Sequence, residues 1–305
     1  MRGPHSLIDI DQLSGDDIQW ILETAESFEE VSTRAIKKVP TLRGKTVVNL
    51  FYEASTRTRI SFEVAAKRLS ADVLNFAAQQ SSVSKGESLK DTALTLEAMG
   101  VDAIVVRHSS AGAPHLLSLW VEPRIINAGD GMHAHPTQAL LDLYSLRKAR
   151  GSIEGCRVAL VGDIAHSRVA RSDLQAFSKM GAEVTLVGPP TLMPAEVGKF
   201  GAKISHDLDK VIPDCDVLYM LRVQLERQAE GLFPDLREYS ELYGLNADRM
   251  SHAPRDVVVM HPGPMNRGVE ISAEVADDPR NIVTDQVANG VAVRMAVLYM
   301  MLGGD

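Results

Sequence analysis

Short apolar runs alternate with helix-like stretches along almost the whole chain, and this alternation limits the fold more than any other feature. Val47–Phe51, Val73–Phe76, Ala103–Arg107 and Arg124–Ala128 read as strands in the first half. Arg157–Val161, Glu183–Val187, Lys203–Ser205, Val217–Met220 and Val257–Met260 read as strands in the second. Between them the apolar residues recur at helical spacing, as with Phe62, Ala65, Ala66 and Leu69 in the stretch Ser61–Ser70. Ser14, followed by Asp16 and Asp17, opens a helix through Ile18, Ile21, Leu22 and Ala25. Ser88 caps another through Asp91, Leu94 and Ala98. Pro114–Trp120, His133–Lys148, Arg168–Met180 and Gln286–Leu302 are the remaining helical stretches. Such alternation predicts parallel sheets with right-handed crossovers, hence an α/β chain of two doubly wound parallel-sheet domains. Gly151–Gly155 reads as the link between a first domain, 1–150, and a second, 151–285, with the closing helix 286–305 packing back on the first. A length of 305 residues suits two such domains of roughly 150 residues each.

Composition narrows the function classes. Hydrophobic content of 45% and charged content of 24% are those of a soluble globular chain. A net charge of −8 argues against nucleic acid as the main partner, so any arginines that matter must be gathered locally for small anions. The first residues lack an apolar signal core, and Val287–Leu302 is interrupted by Asn289, Gly290 and Arg294, so no membrane span is expected. Cys156 and Cys215 form no CxxC pair and point to reduced, buried thiols in a cytoplasmic protein.

The unusual polar residues cluster at strand exits. Ser55-Thr56-Arg57-Thr58-Arg59 brings three hydroxyls and two guanidiniums to a strand-to-helix turn. Free backbone N–H groups and the macrodipole favour an anion there, and arginine forks with hydroxyl donors complete a phosphate cradle without glycines. Lys85 lies in the polar loop Ser81–Glu87, and Arg107 at the exit of its strand. His135 and Gln138 follow Arg124–Ala128, Arg168 follows Val161, Arg222 and Gln224 follow Met220, and His261-Pro262-Gly263-Pro264 follows Met260. In open α/β sheets ligands bind beyond the carboxyl ends of strands. Donors from both halves therefore predict one active site in the cleft between the domains, suited to phosphate and carboxylate together.

Other chemistries fit poorly. Gly44-Lys45-Thr46 imitates the end of a P-loop, but Val39 stands where that motif needs glycine. Gly162-Asp163-Ile164 lacks the dinucleotide-binding glycines. His133 and His135 have no third metal ligand at a recognisable spacing, so neither a metal nor a cofactor is expected. No serine or cysteine nucleophile has an evident base. What is left is direct transfer between two bound substrates, with the protein supplying orientation and charge stabilisation.

These residues resemble the aspartate and ornithine carbamoyltransferase family over essentially the whole chain. Ser55–Arg59 is similar to its carbamoyl phosphate signature, and Arg107-His108, His135-Pro136-Thr137-Gln138 and the His261-Pro262 loop follow in the family's order. Ser84-Lys85-Gly86-Glu87 resembles the lysine loop of the aspartate branch, and Leu221-Arg222-Val223-Gln224 its Arg-x-Gln acceptor loop. His261-Pro262-Gly263-Pro264 lacks the cysteine of the ornithine branch; Gly263 stands where some members have leucine, and a backbone carbonyl serves from either.

The resemblance implies that Arg57 and the backbone near Ser55, Thr56 and Thr58 hold the phosphate. It gives the carbamoyl oxygen to Thr58, Arg107 and His135, and the carbamoyl NH2 to Gln138 and the carbonyls of the Pro262-Gly263-Pro264 loop. Arg168, Arg222 and Gln224 are then expected to take the carboxylates of aspartate. Lys85, with Ser81 or Ser82, is expected to reach the neighbouring subunit's site in a homotrimer, and Leu221–Asp235 to form a gate over aspartate. An ornithine or other amine acceptor and a non-catalytic anion-binding scaffold are the alternatives. Whether regulatory chains join the trimer is left open. Glu53 is expected either to pair with a site arginine across the cleft or to stand solvated; His108 and His133 are expected to be structural or exposed, and Arg59 either structural or part of the site.

Overall fold

A computed structural model describes residues 3–77, 87–194, 201–223 and 235–303. The chain divides into two compact units, Met1–Tyr144 with Val287–Asp305, and Ser145–Gln286. Each is built on a wholly parallel sheet.

In the first unit, helix α1 (Gly15–Thr33) starts at a capping box: Ser14 Oγ accepts from the Asp17 N–H, and Asp17 returns a bond to the Ser14 backbone. Strand β1 (Thr46–Phe51), helix α2 (Thr56–Arg68), strand β2 (Asp72–Ala77) and helix α3 (Leu89–Ala98) follow. Then come β3 (Ala103–His108), α4 (Ala113–Trp120), β4 (Arg124–Asp130) and α5 (Pro136–Arg150). The spatial order is β2-β1-β3-β4. Val47, Val48, Leu50 and Ala103–Val106 have no exposed surface. Strands covered on both faces read as continuous apolar runs, which is why the sequence shows them so plainly. Beyond β4, Leu7 adds a parallel bridge: its N–H donates to the Ile125 carbonyl and its carbonyl accepts from Asn127, while Ser6 Oγ accepts from the Ile125 N–H.

In the second unit, β5 (Arg157–Val161), α6 (Arg168–Lys179), β6 (Glu183–Val187), β7 (Lys203–Ser205) and β8 (Val217–Met220) are followed by α7 (Leu236–Tyr243) and α8 (Ala247–His252). Strand β9 (Val258–Met260), α9 (Ala273–Ala276) and α10 (Val283–Leu302) complete the chain. The order is β7-β6-β5-β8-β9, packed around Val161, Val187, Leu218, Met220 and Val259. From Val287 onward α10 belongs to the first unit. There Tyr299 stacks on Trp20 at 6.1 Å and meets the Phe28 ring edge-on at 5.7 Å, which ties α10 to α1. Among the described residues no helix is long and apolar enough to cross a membrane.

The sequence reading differs in several places, among them the start of α5, read at His133 and found at Pro136. It assigns no helix to 236–252 or 273–276, where α7, α8 and α9 stand. It ends the fourth strand at Ala128, whereas β4 runs through Asp130, paired to His108 after a register shift. It starts the last helix at Gln286, whereas α10 begins at Val283.

Each sheet has one point where successive crossovers leave in opposite directions: between β1 and β3, and between β5 and β8. Ligands bind at such switch points, beyond the strands' carboxyl ends. At the first, Phe51 lies opposite Arg107, and the Tyr52 N–H donates to the Arg107 carbonyl at 2.9 Å. At the second, Val161 lies opposite Met220, and the Leu221 N–H donates to the Val161 carbonyl at 2.8 Å. Gly162 holds this exit closed, with φ +133. A Cβ there would lie 3.0 Å from the Leu221 carbonyl oxygen and 2.9 Å from the Tyr239 hydroxyl. Gly162→Ala is therefore expected to destabilise the second unit by about 2 kcal/mol, from backbone strain and the close contacts. Urea unfolding followed by far-UV circular dichroism measures this; an unchanged midpoint would remove the requirement for glycine.

Candidate active site

At the first switch point α2 begins with an open end. Ser55 occupies the N-cap position but makes no side-chain capping bond, and the first turn carries no acid. Ser88, Ser167, Asp235, Asn246 and Ser272 each accept a backbone N–H at the start of their helices, whereas α4, whose N-cap is Gly112, shares the lack of a side-chain cap with α2. The first N–H groups of α2 thus carry no side-chain cap at the positive end of the helix dipole. Thr58 is buried, and Arg57 and Arg59 are exposed beside it. Arg59 also contributes, behind Lys67 and Asn75, to holding the Glu63 carboxyl below the usual carboxylate range.

Arg107 is braced from two sides. Its Nη2 donates to Glu53 Oε1 at 2.5 Å, and its Nη1 to the Ala128 carbonyl at 3.2 Å. Glu53 follows β1 directly, so neighbouring strands bring the pair together inside one unit. Of the two readings of Glu53, the structure shows the pairing with a site arginine, but with one on a neighbouring strand of its own unit instead of across the cleft. His108, next on β3, accepts the Ser110 N–H on Nδ1 and lies 5.0 Å from the Tyr52 ring; burial lowers its pKa.

Asp130, fully buried, shapes the turn that carries His135. Its carboxylate accepts from the Gly112 N–H at 2.7 Å, Asn127 Nδ2 at 2.8 Å and the Ala134 N–H at 3.1 Å. His133 bridges Asp130 at 3.0 Å and Asp9 at 3.4 Å, and burial raises the Asp9 pKa despite the histidine. His135 is buried at the entrance to α5, and its carbonyl accepts the Gln138 N–H. Gln138 Nε2 lies 3.1 Å from both oxygens of Asp142. In unit one, then, Ser55–Arg59, Arg107, His135 and Gln138 all stand at the carboxyl ends of β1, β3 and β4.

At the second switch point Asp163, fully buried, accepts from the His166 ring at 2.7 Å and the His166 N–H at 3.2 Å. That turn delivers Ser167, the N-cap of α6, and then Arg168, which is only 3% exposed. A guanidinium so buried needs anionic or hydrogen-bonding surroundings. Arg222 follows β8, two residues past Met220, between the buried Leu221 and Val223.

Beyond β9, His261 forms the base of the Pro262-Gly263-Pro264 loop. Its Nδ1 accepts the Gly263 N–H at 2.8 Å, which leaves Nε2 to donate to Glu270 at 3.1 Å. Glu270 also accepts the Asn266 N–H, and Gln286 accepts the His261 N–H. The two bonds on the imidazole fix one tautomer and one loop shape; the Gly263–Pro264 peptide is cis.

Lys85, Ser81, Ser82, Gln224 and most of the expected gate lie outside the described residues. The sequence reading passes over Asp142, Asp163, His166 and Glu270 as functional groups; Asp163 next to a strand-end glycine is the one signal that could have drawn attention. Among the described residues no three His, Cys, Asp or Glu side chains are gathered so as to hold a metal ion. The thiols are ordinary buried groups, and burial pushes Cys215 up to about 12.

Comparison with known proteins gives two matches along the chain. Residues 5–148 match the family model for the aspartate/ornithine carbamoyltransferase carbamoyl-P binding domain, and residues 154–301 that for the Asp/Orn binding domain. The aspartate carbamoyltransferase catalytic subunit of Acidothermus cellulolyticus is 61% identical over 298 residues, covering 98% of this chain and 92% of the relative. That of Thermobifida fusca is also 61% identical, covering 98% and 95%. Aspartate transcarbamoylase from Trypanosoma cruzi, solved with carbamoyl phosphate and aspartate, superposes with a TM-score of 0.89 at 34% identity, over 97% of this chain and 96% of that one. The ornithine carbamoyltransferase of Pyrococcus furiosus gives 0.87 at 32% identity, over 98% and 97%. With both domain models matched and relatives of this similarity along nearly its full length, the chain belongs to the aspartate/ornithine carbamoyltransferase family.

Proposed function

We propose that this chain transfers the carbamoyl group of carbamoyl phosphate to the amine of L-aspartate, giving N-carbamoyl-L-aspartate and phosphate in de novo pyrimidine synthesis. The observation that carries the reading is the pairing of an uncapped, arginine-flanked helix start at one switch point with Arg168 and Arg222 at the other. The first suits the terminal phosphate of an acyl phosphate. The second suits a dicarboxylate, which arginine grips bidentately and lysine does not. Fold likeness alone does not choose the acceptor, since the ornithine enzyme shares it. Two arginines would repel ornithine's ammonium group.

In this mechanism Ser55, Thr56, Arg57 and Thr58 hold the phosphate. The neutral amine of aspartate attacks the carbamoyl carbon, forming the C–N bond and a tetrahedral oxyanion. Thr58, Arg107 and His135 donate to that oxygen, each lowering the barrier by about 3 kcal/mol. The bracing of Arg107 by Glu53 and Ala128 means that little reorganisation is needed as charge develops. The bond to phosphate then breaks, and the departing phosphate takes the proton from the nitrogen. His135 serves as a donor rather than a base. Gln138 and the carbonyls of the Pro262-Gly263-Pro264 loop orient the carbamoyl NH2. Arg168, Arg222 and Gln224 take the carboxylates of aspartate. Lys85, with Ser81 or Ser82, completes the site of a neighbouring subunit in a cytoplasmic homotrimer that uses no cofactor. Residues 1–150 form the carbamoyl phosphate domain, with the C-terminal helix, and 151–285 the aspartate domain.

Product analysis tests the reading directly. With carbamoyl phosphate, the purified chain should make carbamoyl aspartate from aspartate and no citrulline from ornithine. Citrulline would overturn the acceptor assignment and leave the carbamoyl phosphate half standing; neither product would favour the scaffold alternative. Arg107→Ala should lower kcat about 10²–10³-fold with an unchanged elution volume; near-normal turnover would remove Arg107 from the oxyanion site. Mixing inactive Lys85→Ala and Arg57→Ala trimers and reassembling them should recover activity, and no recovery in verified mixed trimers would refute shared sites.

A further inference from the structure

Gln138 lies in the first turn of α5, and its neighbour one turn on is Asp142. The Gln138 Nε2 is 3.1 Å from Oδ1 and 3.1 Å from Oδ2 of that carboxylate. The two ends of a side-chain amide have nearly the same shape, and the surrounding hydrogen bonds decide which end points where. An ionised carboxylate only accepts. Asp142 therefore draws the NH2 end toward itself and turns Oε1 the other way. Among the described residues no donor is bonded to that oxygen.

A glutamine–aspartate pair on an exposed helix face would be an ordinary surface contact. This pair is not on the surface: Gln138 is 8% exposed and Asp142 has no exposed area. A carboxylate in that position needs a cation nearby to remain charged. Arg294 of α10, only 4% exposed, supplies one and is placed by several independent features. Its guanidinium lies 5.2 Å from the centre of the Phe62 ring and donates to the Gly290 carbonyl at 3.1 Å. A Cβ on Gly290 would stand 2.5 Å from its Nη1, so the glycine makes room for it. Burial pushes the Arg294 pKa down to about 10, and Asp142 opposes that shift. A buried charged arrangement thus stands behind one amide.

We propose that Asp142 is a positioning residue that locks the Gln138 amide with its oxygen facing the ligand, so that the site accepts a hydrogen bond from a substrate NH2 and selects a carbamoyl phosphate over an acyl phosphate lacking that group. The inference rests on the proposed reading of Gln138 as ligand-facing. It adds the source of the preference: the polarity of the amide is set from behind, by a group that never touches substrate.

Asp142→Asn keeps the shape and frees the choice, because an asparagine can offer either end to Gln138. The test compares calorimetric Kd values for carbamoyl phosphate, acetyl phosphate (CH3 in place of NH2) and inorganic phosphate. The parent should bind carbamoyl phosphate about tenfold more tightly than acetyl phosphate. In Asp142→Asn that ratio should fall to within about twofold, with the phosphate Kd unchanged. A ratio that persists in the folded variant overturns the proposal, as does equal weakening of all three ligands. Should the single variant fail to fold, Asp142→Asn with Arg294→Gln removes both buried charges together and is read the same way. A parent that binds the two acyl phosphates equally overturns it with no variant at all. If the parent binds none of the three, the functional reading itself has failed, which is a different result.

Discussion

A parallel strand covered on both faces has no room for chemistry along its length. Val47–Leu50 and Ala103–Val106 are sealed in this way, and the polar Asn49 among them is bonded to Asn75 on the neighbouring strand. Reactive side chains can then stand only at the strands' carboxyl ends, where crossovers diverge and leave a crevice. The same constraint acts in both units. It explains why residues far apart in sequence, Ser55 and Arg107 in one unit and Arg168 and Arg222 in the other, stand at equivalent places in the two folds.

Buried carboxylates then fix the shape of those ends. Asp130 gathers the β4–α5 turn, Asp163 the turn into α6, and Glu270 the loop after β9. Each accepts a backbone N–H and pairs with a histidine. A loop braced in this way holds its donors and carbonyls in place before a ligand arrives, which is the source of electrostatic preorganisation. These bonds offset part of their cost in burial, although Glu270 Oε2 has no partner among the described residues. Asp142 and Glu53 act on side chains in the same manner, turning an amide and steadying a guanidinium.

The strands and the long helices are legible in the sequence because continuous apolar runs and helical stripes are strong local signals. The helices α7, α8 and α9 are not, because they are short and mostly polar. α7 buries only Tyr239 and Tyr243. Their capping residues, Asp235, Asn246 and Ser272, are the signals that were there to be read. The extension of β4 through Gly129 and Asp130 is hidden because that composition favours a turn, and tertiary bonding to Asp130 overrides it. Side chains at the strand ends are legible by residue type, through the motifs. What supports them is not: the Glu53–Arg107 pair depends on which strands are neighbours, and the Gln138–Asp142 pair on which face of α5 is buried.

The bridge at Leu7 has a consequence of another kind. β4 ends the first sheet, and an uncovered edge offers a row of N–H and C=O groups to any passing strand. Here Leu7 takes up the Ile125 carbonyl and the Asn127 N–H, and Ser6 takes the Ile125 N–H. The opening residues thus work as an edge guard against self-association. Trimming them, or fusing a bulky tag directly before Ser6, would trade that guard for an adhesive border, and poor solubility would follow with the active-site residues untouched.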